Sequence, residues 1–196
     1  MESLFFHLLF LLPVVSEGAN QPYFPPHALS EDQRRDDSLI AWYSKHLKAF
    51  EEPSLWEFSK TPKAQTYRFV WLRTFHHPIA IRLNVKEDGT SLLTLKETSG
   101  AGGYEPGKLI LNESRVISKD QTQWFLERID TFKYWDIPSE EMYGGCDGAQ
   151  WVIEGVRDGK YKVIDRWSPK EGPIRTLGLI MVVGLAKMKI PSEEIY

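Results

Sequence analysis

Residues 144–169, GGCDGAQWVIEGVRDGKYKVIDRWSP, constrain the fold more than any other stretch. Two β-rich runs, Ala149 to Val156 and Lys160 to Trp167, flank Arg157-Asp158-Gly159. An Asp-Gly pair between such runs reads as a hairpin, because glycine adopts the positive φ that a tight turn demands. Gly144, Gly145 and Gly148 suit a tight entry, and Arg166 to Pro169 suits a sharp exit corner. Five of these residues read as scaffold. Asp147 bonds its own turn, Gly148 bends the backbone, and Trp151 and Trp167 pack. Arg166 pairs with a buried carboxylate or stacks on Trp151 or Trp167. A lone hairpin is marginal in water, so this one must belong to a larger sheet.

The rest of the chain supplies that sheet. Gln65 to Phe75 alternates Tyr67, Phe69, Trp71 and Arg73 with Arg68, Val70, Leu72 and Thr74. Ile79 to Lys86 and Thr90 to Glu97 flank a second turn signal, Glu87-Asp88-Gly89, and Lys108 to Val116 makes a fourth strand. Ser118 with Gln121 forms a capping box for a helix over Lys119 to Phe132 that buries Trp124, Phe125 and Ile129. Pro173 begins an apolar helix through Met188, too short to span a bilayer and read as a core helix. Ser30 with Gln33 opens an earlier helix to about Phe50, with Leu39, Trp42, Tyr43, Leu47 and Phe50 along one face. Hairpin-length connections imply antiparallel pairing. The expected fold is α+β: one antiparallel sheet of about six strands in the order ββββ-α-ββ-α, helices on one face, and a preceding N-terminal helix. Residues 30–64 form the helical segment and residues 65–190 the α+β domain.

The apolar run Leu4 to Val15 ends at Pro13 and small residues. Its length fits the core of a signal peptide over residues 1–18 and falls short of the ~20 residues of a membrane span. Glu2 departs from the usual basic start. The expectation is an exported chain, periplasmic or secreted, with no span in its mature part. Residues 19–29, ANQPYFPPHAL, read as an extended Pro-rich linker. The net charge is −3 without a basic stripe, which argues against nucleic acid as a partner. Cys146 is the only cysteine, so no internal disulfide forms.

Candidate chemistry is sparse. Gly102 to Lys108, GGYEPGK, mimics a phosphate loop, but Leu109 stands where Ser or Thr binds magnesium, and a strand follows instead of a helix. The same loop is the best binding candidate, with Gly102 and Gly103 letting Tyr104 and Glu105 adapt at its tip. His76 and His77 are the metal candidates, yet adjacent strand residues point to opposite faces. Glu154, Asp147 and Asp165 are the catalytic candidates. Glu154 and Asp165 can approach each other across the hairpin, as acid–base pairs do, although cross-strand ion pairs compete for them. Among these, Glu154 alone has no evident structural task. No cofactor is implied.

The pattern Gly145-x-Asp147-Gly148-Ala149-x-Trp151-x-x-Glu154-Gly155, followed by Arg166-Trp167-Ser168-Pro169, resembles a group of exported bacterial proteins. The resemblance spans about Tyr67 to Leu185 and implies a bacterial source but no activity. The layout is also similar to that of small secreted protease inhibitors of the emfourin type. The leading functional expectation is non-catalytic binding of a protein or envelope component. The rivals are a carboxylate-dependent hydrolase or lyase, and a small-ligand carrier with a pocket lined by Trp71, Trp124 and Trp151.

Overall fold

The computed structural model describes residues 22–141 and 144–196; the expected signal peptide lies outside them. Six strands form one antiparallel sheet in the order β4-β3-β2-β1-β5-β6. They are β1 (Gln65–Arg73), β2 (Ile79–Val85), β3 (Ser91–Thr98), β4 (Leu109–Ile117), β5 (Ala149–Arg157) and β6 (Lys160–Trp167). The α+β fold and the strand order along the chain are as the sequence indicates. The hairpin turn sits at Asp158 and Gly159, with φ of 52° and 77°, which sets Arg157 opposite Lys160. One residue's slip there would turn Trp151 and Ile153 out of the core.

The four helices are α1 (Gln33–Ala49), α2 (Leu55–Ser59), α3 (Lys119–Thr131) and α4 (Pro173–Leu179), the last running into a π-helical segment, Ile180–Leu185. On one face of the sheet, Phe125 and Ile129 of α3 and Leu177 of α4 meet Tyr67, Phe69, Trp71, Trp151 and Ile153. On the other face, Tyr43, Leu47 and Phe50 meet Val70, Leu72, Val152 and Val163. Cover on both faces explains why β1 is buried at eight of its nine positions, arginines included.

Several local expectations change. Asp32, not Ser30, caps α1; its side chain accepts from Arg35 N at 2.8 Å. Of the residues read as a linker, the described ones, 22–29, are part of the fold: Phe24 and Leu29 are buried beneath α1. They are fastened by Asp36, whose carboxylate accepts from the backbone N–H of His27, Leu29 and Ser30. That cap holds the segment against the sheet where a Pro-rich composition suggests free extension. Ser118 does cap α3 as its box implies, but Trp124 is 44% exposed, with Arg128 over its ring. Thr122, Phe125 and Ile129 take the buried positions of that helix, Thr122 donating its hydroxyl to Ser91. Among the described residues no helix is long and apolar enough to cross a membrane.

Candidate functional site

Under α1 the sheet carries a buried ionic layer. Arg68 is fully enclosed at the centre of β1, and register places Glu154 of β5 opposite it. Arg68 Nε and Nη2 donate to Glu154 Oε2 at 2.8 and 2.5 Å, and Tyr161 OH donates to Glu154 Oε1 at 2.9 Å. Arg68 Nη1 donates to Pro53 O at 2.7 Å and reaches Glu52 at 3.3 Å. Glu52 also receives Arg82 Nε at 2.8 Å and Lys96 Nζ at 3.1 Å. Burial alone would push Glu52 upward, but Arg68, Arg82 and Lys96 together outweigh it and hold its carboxyl below the ordinary range. Burial pushes Glu154 up, opposed by the charge and hydrogen bonds of Arg68 and by Tyr161. Glu154 therefore has a structural task that its sequence neighbours do not reveal: it neutralises an arginine 86 positions away.

Asp165 lies on the same sheet face, since Val152 pairs with Asp165 and Glu154 with Val163. The two carboxylates do not share a proton or a ligand; each is engaged by its own tyrosine. Tyr43 OH of α1 donates to Asp165 Oδ2 at 2.6 Å, while Oδ1 is buried without a partner. Burial pushes Asp165 up to about 6 against the opposing Tyr43 bond and the Arg166 and Arg35 charges. Nearby His46 is also buried, with both ring nitrogens unpartnered, and burial with the Lys45 charge lowers it to about 4.

These two groups make stability depend on pH in opposite senses. Asp165 ionises at 3.8 when free and at about 6 here, so its contribution is full below pH 3.8 and is lost as pH rises through 6. His46 goes from 6.5 to about 4, so its contribution is full above pH 6.5 and is lost as pH falls through 4. Asp165→Asn removes the first effect alone. The variant is expected to gain on the order of 2–3 kcal/mol over the parent between pH 4 and pH 7.5, since each tenfold change in proton affinity is worth ~1.4 kcal/mol. Denaturant titrations at both values test this; a pH-independent difference places the Asp165 carboxyl in solvent.

A cleft of about 290 Å³ opens beside this layer, and it gathers separate sequence candidates. Ser38, Leu39 and Trp42 of α1 form one wall, Gly102, Gly103 and Tyr104 another, and Cys146, Gln150 and Trp167 a third. Trp42 Nε1 donates to Gln150 Oε1 at 2.8 Å, tying α1 to β5 across the floor. Lys45 stacks over Trp42 at 4.3 Å and pairs with Glu105 at 2.9 Å, tying α1 to the loop. The loop glycines serve close approach. Gly102 N donates to His76 O and Gly103 N to Thr74 O, so the loop forms a rung along the end of β1. A Cβ on Gly102 would lie 2.5 Å from Arg73 N. Gly148 is fixed alike from the other side: Thr74 N donates to its carbonyl at 2.8 Å, and a Cβ there would meet Trp167 at 2.7 Å. Tyr104 stays 59% exposed, beside Phe75 at 60% and 6.4 Å between ring centres.

The remaining candidates are placed as follows. Asp147 and Cys146 are exposed in the bend before β5. Arg166 does not stack on Trp151 or Trp167. It pairs with Glu141 at 2.9 Å and donates to the carbonyls of Pro138 and Ser139, pinning that segment to β6. Arg175 stacks on Trp151 instead, at 5.5 Å. Trp71 and Trp151 are buried against each other at 5.0 Å while Trp124 stands outside, so the three do not line one pocket. His76 and His77 have separate partners, Tyr196 OH at 2.8 Å and Glu97 at 2.6 Å. Among the described residues no group of three or more His, Cys, Asp or Glu is arranged to hold a metal. Sequence reasoning missed Trp42, Ser38 and Gln150 as wall residues; the apolar face of α1 was the signal that could have found Trp42. No protein-family model matches the chain, and no curated protein matches it either.

Proposed function

We propose that this chain is an exported bacterial binding domain without catalytic activity, and that it captures a protein or other envelope component through the cleft between α1 and the 99–107 loop. One observation carries the reading. The cleft brings three aromatic rings, Trp42, Tyr104 and Trp167, together with the neutral polar groups of Ser38, Thr74 and Gln150. Concave surfaces that mix aromatic faces with a few fixed polar groups are binding sites by chemistry. The engagement of Glu154 by Arg68 and of Asp165 by Tyr43 favours binding over carboxylate catalysis, because both carboxylates are already taken up by partners inside the fold.

The test is capture of partners from the native envelope with tagged full-length chain and with Tyr104→Ala. Tyr104 is exposed, so its truncation is expected to leave the melting temperature within a degree or two. Capture should fall at least tenfold, on the ~2 kcal/mol scale of an aromatic hot spot. Equal capture by both proteins removes the cleft from the binding surface.

A further inference from the structure

The two edges of the sheet differ. At β6, Asp165 N donates to Ser139 O at 2.8 Å, and Arg166 pins the same segment. Lys160 and Lys162 stand along that strand. A covering segment and lysines are what keep an edge strand from pairing with another chain. β4, the opposite edge, is LILNESRVI, with no Pro, Gly or Lys, and its one irregularity lies at its start, opposite Glu97 and Thr98. Residues 112–116 are exposed, and Ile110 and Val116 are 53% and 63% exposed.

Register fixes which groups of β4 are free. Lys86 N donates to Thr90 O at 2.8 Å and Thr98 N to Pro78 O at 3.2 Å, so the even-numbered residues of β3 bond to β2. Ser91, Leu93, Leu95 and Glu97 therefore bond to β4, through their partners Ile117, Arg115, Glu113 and Leu111. The backbone N–H and C=O of Asn112, Ser114 and Val116 point outward, where the sheet has no further strand.

Two copies of one edge pair antiparallel about a two-fold axis. With the axis at Ser114, Asn112 faces Val116 of the second copy in a bonded pair, and Ile110 is the diagonal neighbour of that Val116. Glu113 then faces Arg115 of the second copy, twice by symmetry. These fall in the close, non-bonded pairs, where side chains meet most directly. An axis at Glu113 or at Arg115 sets like charges together. An axis at Asn112 sets Glu113 against Leu111, and one at Val116 sets Arg115 against Ile117. The strand is complementary to itself in one register.

We propose that β4 is a dimerisation edge, through which two copies of this chain join their sheets about a two-fold axis at Ser114, held by reciprocal Glu113–Arg115 pairs. The axis stands perpendicular to the sheet, so the α1 faces of both copies lie on the same side. The interface is separate from the aromatic cleft and does not depend on the function proposed for it.

The experiment is sedimentation of the full chain over about 2–200 μM, a range that reports dissociation constants of that order. The parent is expected to show a monomer–dimer equilibrium. Amide exchange at Asn112, Ser114 and Val116 should slow as concentration rises, while Leu111, Glu113 and Arg115, already bonded to β3, should not change. Glu113→Arg and Arg115→Glu each put like charges at both pairs and should raise the dissociation constant at least ~10-fold. Both side chains are exposed, so the circular dichroism of each variant should match the parent. An equimolar mixture of the two variants restores opposite charges at both pairs and should recover the dimer. A parent that stays monomeric at about 200 μM, a dimer indifferent to both substitutions, or a mixture no more associated than its components overturns the proposal.

Discussion

Replacing Glu154 with alanine is expected to destabilise the domain by about 3–5 kcal/mol, the range for breaking a buried ion pair from one side. The cost arises less from the lost attraction than from what remains. Arg68 is fully enclosed and keeps its charge, because Glu154 and Glu52 outweigh the burial that would lower its pKa. Without Glu154, its Nε and Nη2 lose their acceptor, and Tyr161 loses the partner of its hydroxyl. Glu52 cannot fill the gap, since it is committed to Arg82 and Lys96 as well. The double replacement Arg68→Met with Glu154→Leu is expected to recover most of the loss, because apolar side chains of similar volume substitute well for a buried pair. Glu52 keeps two cations in that variant. Urea titration measures both; a loss below about 1 kcal/mol for Glu154→Ala would mean that Arg68 reaches water.

Trp151→Ala is expected to cost a similar amount, about 3–5 kcal/mol, for a different reason. Trp151 is fully buried, with ring centres 5.3 Å from Phe69 and 5.0 Å from Trp71, and Gly178 of α4 fits against its edge. Removing the indole leaves a void that β1, β5 and α4 cannot all close together, and it strips the donor from the Tyr196 carbonyl. Trp124→Ala is the control of equal chemistry. That indole is 44% exposed, and its loss is expected to cost less than about 1 kcal/mol. Equal melting temperatures for the two variants would contradict the packing described.

The strands were legible because their signals are local. Asp158-Gly159 and Asp88-Gly89 fix two hairpins through glycines with φ of 77° and 83°, and Ser118 fixes the start of α3. The face taken by α1 was not legible. Both alternating sets of β1 look suitable for a core, and both are in one, because helices cover each side. The partner of Glu154 was invisible for a related reason. Arg68 meets it only once β1 and β5 pair in register, and no pattern within either strand states that register. The bend of the Pro-rich segment onto the sheet rests on Asp36, a residue that composition places on the solvent side of a helix. In the candidate site, Tyr104 and the glycines of its loop were legible as a tip. Their neighbours Trp42 and Gln150 required the tertiary fold, which brings α1 across the start of β5.

Cys146 on the wall of the assembled cleft offers a direct probe of binding there. A photo-crosslinker attached to this single thiol, added to extracts of the host cell, reports whatever occupies the cleft. The same reagent on a Cys146→Ser, Glu127→Cys protein reports the outer surface of α3, where residue 127 is exposed. A discrete adduct is expected from position 146, lost with Tyr104→Ala and absent from position 127. Adducts of equal yield from both positions, or an adduct at 146 that survives Tyr104→Ala undiminished, would contradict binding at the cleft.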